Sequence, residues 1–126
     1  TGRASDVVLV GPPATSASPQ PSSLVVRGVT RLTVAHLTIQ STPGYAILLG
    51  DGVQQPRLSG LRIVDNGQFV QSARHANGTG AVGGVIEGCT FRTGDDAVAI
   101  KSGRDADGWR VGRPTTHVVV RDCELP

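Results

Sequence analysis

Val34-Ala-His-Leu37-Thr-Ile39, Leu58-Ser-Gly-Leu61-Arg-Ile63, Ile86-Glu-Gly-Cys89-Thr-Phe91 and Val120-Arg-Asp-Cys123-Glu-Leu125 repeat one pattern, apolar-x-x-apolar-x-apolar. They begin at residues 34, 58, 86 and 120, at intervals of 24, 28 and 34. A fixed inner pattern at a variable interval marks a repeat whose wall is constant and whose loops are not. Each interval holds a second apolar run, such as Ala46-Ile-Leu-Leu49 or Ala97-Val-Ala-Ile100. Val, Ile, Leu and Thr dominate these units, and no apolar stripe of helical period lasts beyond two turns. The expected fold is all-β, a right-handed parallel β-helix (solenoid) of about four to five rungs with two short strands per rung, side chains stacking inward at about 4.8 Å. Leu37, Leu61, Cys89 and Cys123 would form one inward stack, and Val34, Leu58, Ile86 and Val120 another. A β-sandwich is the competing architecture, and it asks for hairpin loops of about two to five residues that this sequence mostly lacks.

Outward from the repeats, the 126 residues make one domain, 1–126, with loops expected at 11–23, 65–84 and 101–116. With 3% aromatic residues and no Met, the core must be aliphatic, while 17 Gly and 8 Pro suit many short strands and turns. A net charge of +2 without a basic stripe argues against nucleic acid. No apolar run reaches the roughly 20 residues of a membrane helix, and no basic-then-apolar start resembles a signal peptide. The chain starts at Thr1 and reads as a middle section of a longer protein, a partial β-helix uncapped at one or both ends, since a solenoid needs capping units at its edges. Cys89 and Cys123 could form one disulfide or remain two buried thiols; their shared stack favours thiols.

The chemistry concentrates between Cys89 and Pro114. Gly94 turns the chain before the adjacent carboxylates Asp95 and Asp96, the apolar run Ala97–Ile100 follows, and Lys101 and Arg104 come next. Long excursions lie on both sides of the pair, at 65–84 and 101–116, and long loops on a rigid wall are where sites are built. Asp also favours exposed turns for its own backbone hydrogen bonds, so a simple turn is the competing account. Two neighbouring carboxylates can divide acid and base roles, one protonated and one ionised. Trp109 is either a sugar-stacking platform or a cover for the wall. His36 and His117 read as outward surface residues. No spacing supports a Ser-His-Asp triad or a zinc site.

The run Cys89-Thr-Phe-Arg-Thr-Gly-Asp-Asp-Ala-Val-Ala-Ile-Lys-Ser-Gly-Arg-Asp-Ala-Asp-Gly-Trp-Arg-Val-Gly-Arg-Pro114 resembles the central signature of the polygalacturonases, glycoside hydrolase family 28. The resemblance implies a right-handed parallel β-helix that hydrolyses α-1,4-galacturonosyl bonds of pectin with inversion. It gives Asp95 the role of general acid and Asp96 a part in activating the attacking water, acid and base being about 6.5–9.5 Å apart in inverting enzymes. Lys101, Arg104, Arg110 and Arg113 would meet the substrate's carboxylates, with His75 and Asn77 as further polar contacts. The resemblance implies no metal or other cofactor, an acidic polysaccharide as partner, a monomeric full-length protein and, from the substrate, an extracellular or periplasmic location.

The sequence also departs from that family. A third aspartate is expected one rung before the pair, which counting along the repeat puts near Ala73 or Arg74, and no carboxylate stands there. The later Gly-His-Gly and Arg-Ile-Lys motifs are not present. Two alternatives therefore accompany the hydrolase: a lyase of the same fold using calcium held by Asp65, Asp95 and Asp96, and a non-catalytic polysaccharide-binding or structural β-helix.

Overall fold

The computed structural model describes residues 7–16, 21–50, 52–66, 68–72, 83–103 and 105–125, with 65, 66, 68–72 and 107 described by backbone alone. In chain order the elements are β1 (Val8–Val10), β2 (Leu24–Arg27), β3 (Thr33–Ala35), β4 (Thr38–Gln40), β5 (Tyr45–Gly50), β6 (Arg57–Ser59), β7 (Arg62–Asn66), β8 (Gln68–Ser72), β9 (Val85–Glu87), β10 (Thr90–Thr93), β11 (Val98–Ile100), α1 (Asp105–Val111) and β12 (Val119–Arg121). Among the described residues the protein is all-β apart from that one short helix, and its sheets are parallel. Each strand pairs with the strand three places on, giving three four-stranded sheets: β1-β4-β7-β10, β2-β5-β8-β11 and β3-β6-β9-β12. These are the first, second and third sheets below.

The strand register follows the sequence repeat. Val34 lies opposite Leu58, Leu58 opposite Ile86, and Ile86 opposite Val120. In the first sheet Ile39, Ile63 and Phe91 are aligned in the same way and are almost fully buried. With Leu58, Leu61, Ile86, Cys89, Ile47, Leu49 and Val53 they make one continuous core. Burying an aliphatic side chain of this size contributes about 1.5–3 kcal/mol. The outermost members of the expected stacks are less covered: Val34, Leu37 and Cys123 only pack against the core, and Val120 is exposed on the edge strand β12. The strand β5 is buried along its whole length, which matches its unbroken apolar sequence where an alternating one would leave a wet face.

The structure corrects the expectation of two strands per repeat, because each repeated hexad bends in its middle. Its third residue is His36, Gly60, Gly88 or Asp122, with φ of 55°, 59°, 61° and 53°. This left-handed corner passes the chain from the third sheet to the first, so in the first three hexads the first apolar residue lies in the third sheet, the second at the corner and the last in the first sheet. Gly takes that conformation without penalty, while Asp and His adopt it more readily than other residues with a Cβ. A second left-handed series, Arg31, Gln55, Gly83 and His117, precedes the strands of the third sheet at the same intervals. Both His36 and His117 are exposed, as expected, but they serve as corner residues.

The loop boundaries also change. The expected loop at 65–84 is corrected by β7, which runs through Asn66, and by β8, which pairs with Tyr45–Leu49 on one side and Val98–Ile100 on the other. The polar residues of Gln68-Phe-Val-Gln-Ser72, and a glycine ahead of them in the sequence, hid that strand. The expected loop at 101–116 carries α1. From β4 onward the growth in chain length falls at one corner; ahead of it, the passage 11–23 between the first sheet and the second is also long. The passage from the third sheet to the first is always short, 36–37, 60–61 and 88–89, whereas that from the second to the third is 28–32, 51–56, 73–84 and 101–118.

Both cysteines are free thiols. Cys89 Sγ donates to the Leu58 carbonyl at 3.8 Å, and Cys123 Sγ donates to the Ile86 carbonyl at 3.8 Å, the same contact one repeat later. Burial pushes the Cys89 thiol up to about 11.

Candidate active site

Asp95 and Asp96 lie in the connection between β10 and β11, where the chain passes from the first sheet to the second. Both are exposed. Thr93 Oγ1 donates to the Asp95 carbonyl at 2.8 Å, and the Asp96 backbone N–H donates to Asp95 Oδ1 at 2.8 Å. The turn is therefore ordered by its own side chains, which is the behaviour expected of Asp in a tight turn. It also fixes the Asp95 carboxylate, so the two acids are held in distinct settings although they are neighbours in sequence. The following run is less buried than its composition suggested: Ala97, Val98 and Ala99 are half-buried and Ile100 is 51% exposed, because β11 is the edge strand of its sheet.

The cations begin where β11 ends. Lys101, Arg110 and Arg113 are exposed; Arg104, His75 and Asn77 lie outside the described residues. Thr115 fastens the base of this excursion, its Oγ1 donating to the Lys101 carbonyl at 2.6 Å and its N–H to Ser102 Oγ at 2.9 Å. The acids thus lead into a three-residue strand and the cation-rich excursion leaves it, about 10 Å further along at the rise of an extended chain.

The position expected for a third acid is corrected by the register. Thr93 lies opposite Asn66 and Ile100 opposite Ser72, so the residues level with Asp95 and Asp96 one repeat earlier fall between Asn66 and Val70, before the expected 73–74. A bulge between the partners of Arg92 and Thr93 leaves Asp65 without a register partner. Asp65 is the acid nearest to that level, and counting along the sequence missed it because the bulge shifts the count.

Glu87, the one acid between Asn66 and Gly94 in the sequence, is engaged elsewhere. Arg121 donates through Nε at 3.0 Å and Nη2 at 2.7 Å to Oε2, while Arg57 Nη2 binds Oε1. The bonds from Arg121, joined by those from Arg57, hold the Glu87 carboxyl below the usual carboxylate range against the opposing effect of desolvation. It is a three-strand charge ladder on the outer face of the third sheet, with both carboxylate oxygens occupied. Sequence reading missed it because its members are a full repeat apart.

Among the described residues, no three His, Cys, Asp or Glu are grouped closely enough to hold a metal ion. The Asp65 side chain, one of the three considered for calcium, lies outside the described atoms. A small pocket lined by Leu49, Pro56, Leu58, Gly84, Val85, Ile86 and Val118 is wholly apolar and carries no group that could act on a substrate.

Set against protein-family models, curated proteins and solved structures, the chain matches none.

Proposed function

We propose that this chain is a polygalacturonase-like glycoside hydrolase segment built on a right-handed parallel β-helix. The observation that carries the reading is the exposed Asp95-Asp96 turn between two sheets of a wall, with a cation-rich excursion starting one strand later. Three supports bear on the coil itself: every strand pairs in parallel, the partner is always three strands on, and the three sheets are visited in strict rotation. Crossovers between parallel strands of one sheet are right-handed in about 98% of cases, which supports that hand.

In this reading Asp95 protonates the leaving oxygen of an α-1,4-galacturonosyl bond and Asp96 helps to deprotonate the attacking water on the opposite face of the sugar. Lys101, Arg104, Arg110 and Arg113 bind the carboxylates of the acidic polysaccharide, Arg through paired N–H donors. No cofactor enters the scheme. A polymer of that kind puts the protein outside the cytoplasm.

The test is release of reducing ends from polygalacturonate in the presence of a chelator. Asp95→Asn is expected to lower kcat by at least about a hundredfold with an unchanged melting temperature; retained activity rejects the assignment. An ultraviolet-absorbing unsaturated product that appears only with calcium would identify a lyase. One observation favours a second, non-catalytic reading: no carboxylate stands level with the pair one repeat earlier. Binding of the polymer without turnover would establish that reading instead.

A further inference from the structure

The chain has one tryptophan, and Trp109 is 85% exposed, the most exposed of the large apolar side chains described. It does not cover the wall. An indole carries some 150–250 Å² of apolar surface that is ordinarily buried, so its presentation to solvent calls for an explanation in terms of what it meets.

Its support is firm. Gly103 and Gly108 pack backbone to backbone: a Cβ added to Gly103 would lie 2.7 Å from the Gly108 Cα, and one added to Gly108 would lie 2.9 Å from the Gly103 carbonyl carbon. The helix α1 therefore seats flush on the stem of the excursion, with Gly108 buried. Trp109 is the next residue, about 100° further round the helix, and so turns away from that seat. Gly112, with φ of 62°, ends the helix by donating its N–H to the Gly108 carbonyl at 2.9 Å. Thr115 ties the two ends of the excursion together. The ring is thus carried on a braced element.

We propose that Trp109 is a stacking platform for a pyranose ring of an anionic polysaccharide, with the exposed Lys101, Arg110 and Arg113 of the same excursion receiving the polymer's carboxylates. A galacto-configured pyranose presents the C–H groups of C3, C4 and C5 on one face, which lies flat on an indole, while the C6 carboxylate projects from the ring edge towards cations. The excursion 101–116 carries four Lys and Arg against two Asp, a balance that favours a polyanion over a neutral glycan. A protein partner would call for an apolar cluster about the aromatic anchor; the described residues one turn back on the same helix face, Asp105 and Ala106, are exposed and form none. The inference rests on the polysaccharide reading above for its ligand class, but it requires no turnover.

Because Trp109 is the sole indole, its emission reports on this site alone. Titration of the protein with a galacturonan oligomer is expected to shift and quench that emission, to do so less as salt is raised, and to leave it unchanged with a neutral galactan. In affinity electrophoresis through polygalacturonate, Trp109→Ala is expected to weaken binding by roughly threefold to tenfold and Trp109→Phe to restore most of it, both with the parent melting temperature. Unchanged emission, an equal response to the neutral polymer, or full retention by Trp109→Ala would each overturn the proposal. An emission shift without reducing-end release upholds the platform while rejecting the hydrolase; release without a shift does the reverse.

Discussion

At the scale of single residues, two side chains connect the fold to pH in opposite directions. Cys89 is buried and its thiol is raised from an ordinary 9.0 to about 11. Between those values the unfolded chain loses the proton and the folded chain keeps it, so stability falls as pH rises from about 9 towards 11. Urea unfolding at pH 7 and pH 10 measures this, and the drop is expected to shrink in Cys89→Ala. Native thiol labelling gives a sharper reading: Cys123 reacts and Cys89 is protected until the protein unfolds. Equal rates for the two would contradict the buried stack. Glu87 behaves in the reverse sense. Its folded value is lowered by Arg121 and Arg57, so the ladder's contribution is present at neutral pH and is lost as pH falls below the ordinary value of 4.5. The two Arg side chains are 55% and 57% exposed, which makes the contribution small and sensitive to salt. Glu87→Gln is expected to flatten the acid arm of the melting curve while changing the neutral melting temperature little; an unaltered acid arm would mean that other carboxylates set it.

At the scale of elements, the corners between the third and first sheets decide how the strands are aimed. Gly60 and Gly88 share nearly the same φ, 59° and 61°, but not the same surroundings. A Cβ at Gly60 would meet His36 Nδ1 at 2.5 Å, whereas one at Gly88 finds only the Gly60 nitrogen at 3.8 Å. Both Ala substitutions carry the left-handed penalty of about 1–2 kcal/mol, and Gly60→Ala carries the displaced imidazole in addition. Chemical denaturation should therefore rank Gly60→Ala as the more damaging, with the difference removed in a His36→Ala background; equal losses would refute the steric account. These corners also explain which elements could be read from the amino acids. The hexads gave the register of Val34, Leu58, Ile86 and Val120 because identical stacking demands identical spacing. Their central bend stayed hidden because His, Gly and Asp at the third position look like ordinary surface choices until their shared backbone geometry is known. The strand β8 holds only Phe69 and Val70 between polar residues, with no alternation, and α1 spans seven residues around a mid-helix glycine, too few for a periodic signal. In the site, Gly94-Asp95-Asp96 and its cations were legible as a local motif. The level of any third acid was not, since it depends on a bulge in another strand.

At the scale of the whole molecule, the three sheets keep one register although successive repeats differ in length. From β4 onward the additional residues enter between the second sheet and the third, at 73–84 and 101–118. Lengthening such a connection costs little, about 0.6 kcal/mol for each doubling. Six Gly and Ser residues inserted after Arg113 should leave the far-ultraviolet circular dichroism unchanged and lower the melting temperature by only a few degrees. The same insertion after Gly88, in a two-residue corner, should abolish cooperative unfolding. Equal tolerance at the two places would show that the corners do not set the register. The wall and its loops therefore answer to separate physical constraints. Substitutions at the corners and in the stacks act on stability, while the long connections have room to change in length and composition. A lineage built on this chain could acquire new specificities along that edge by insertion and deletion, without renegotiating its core.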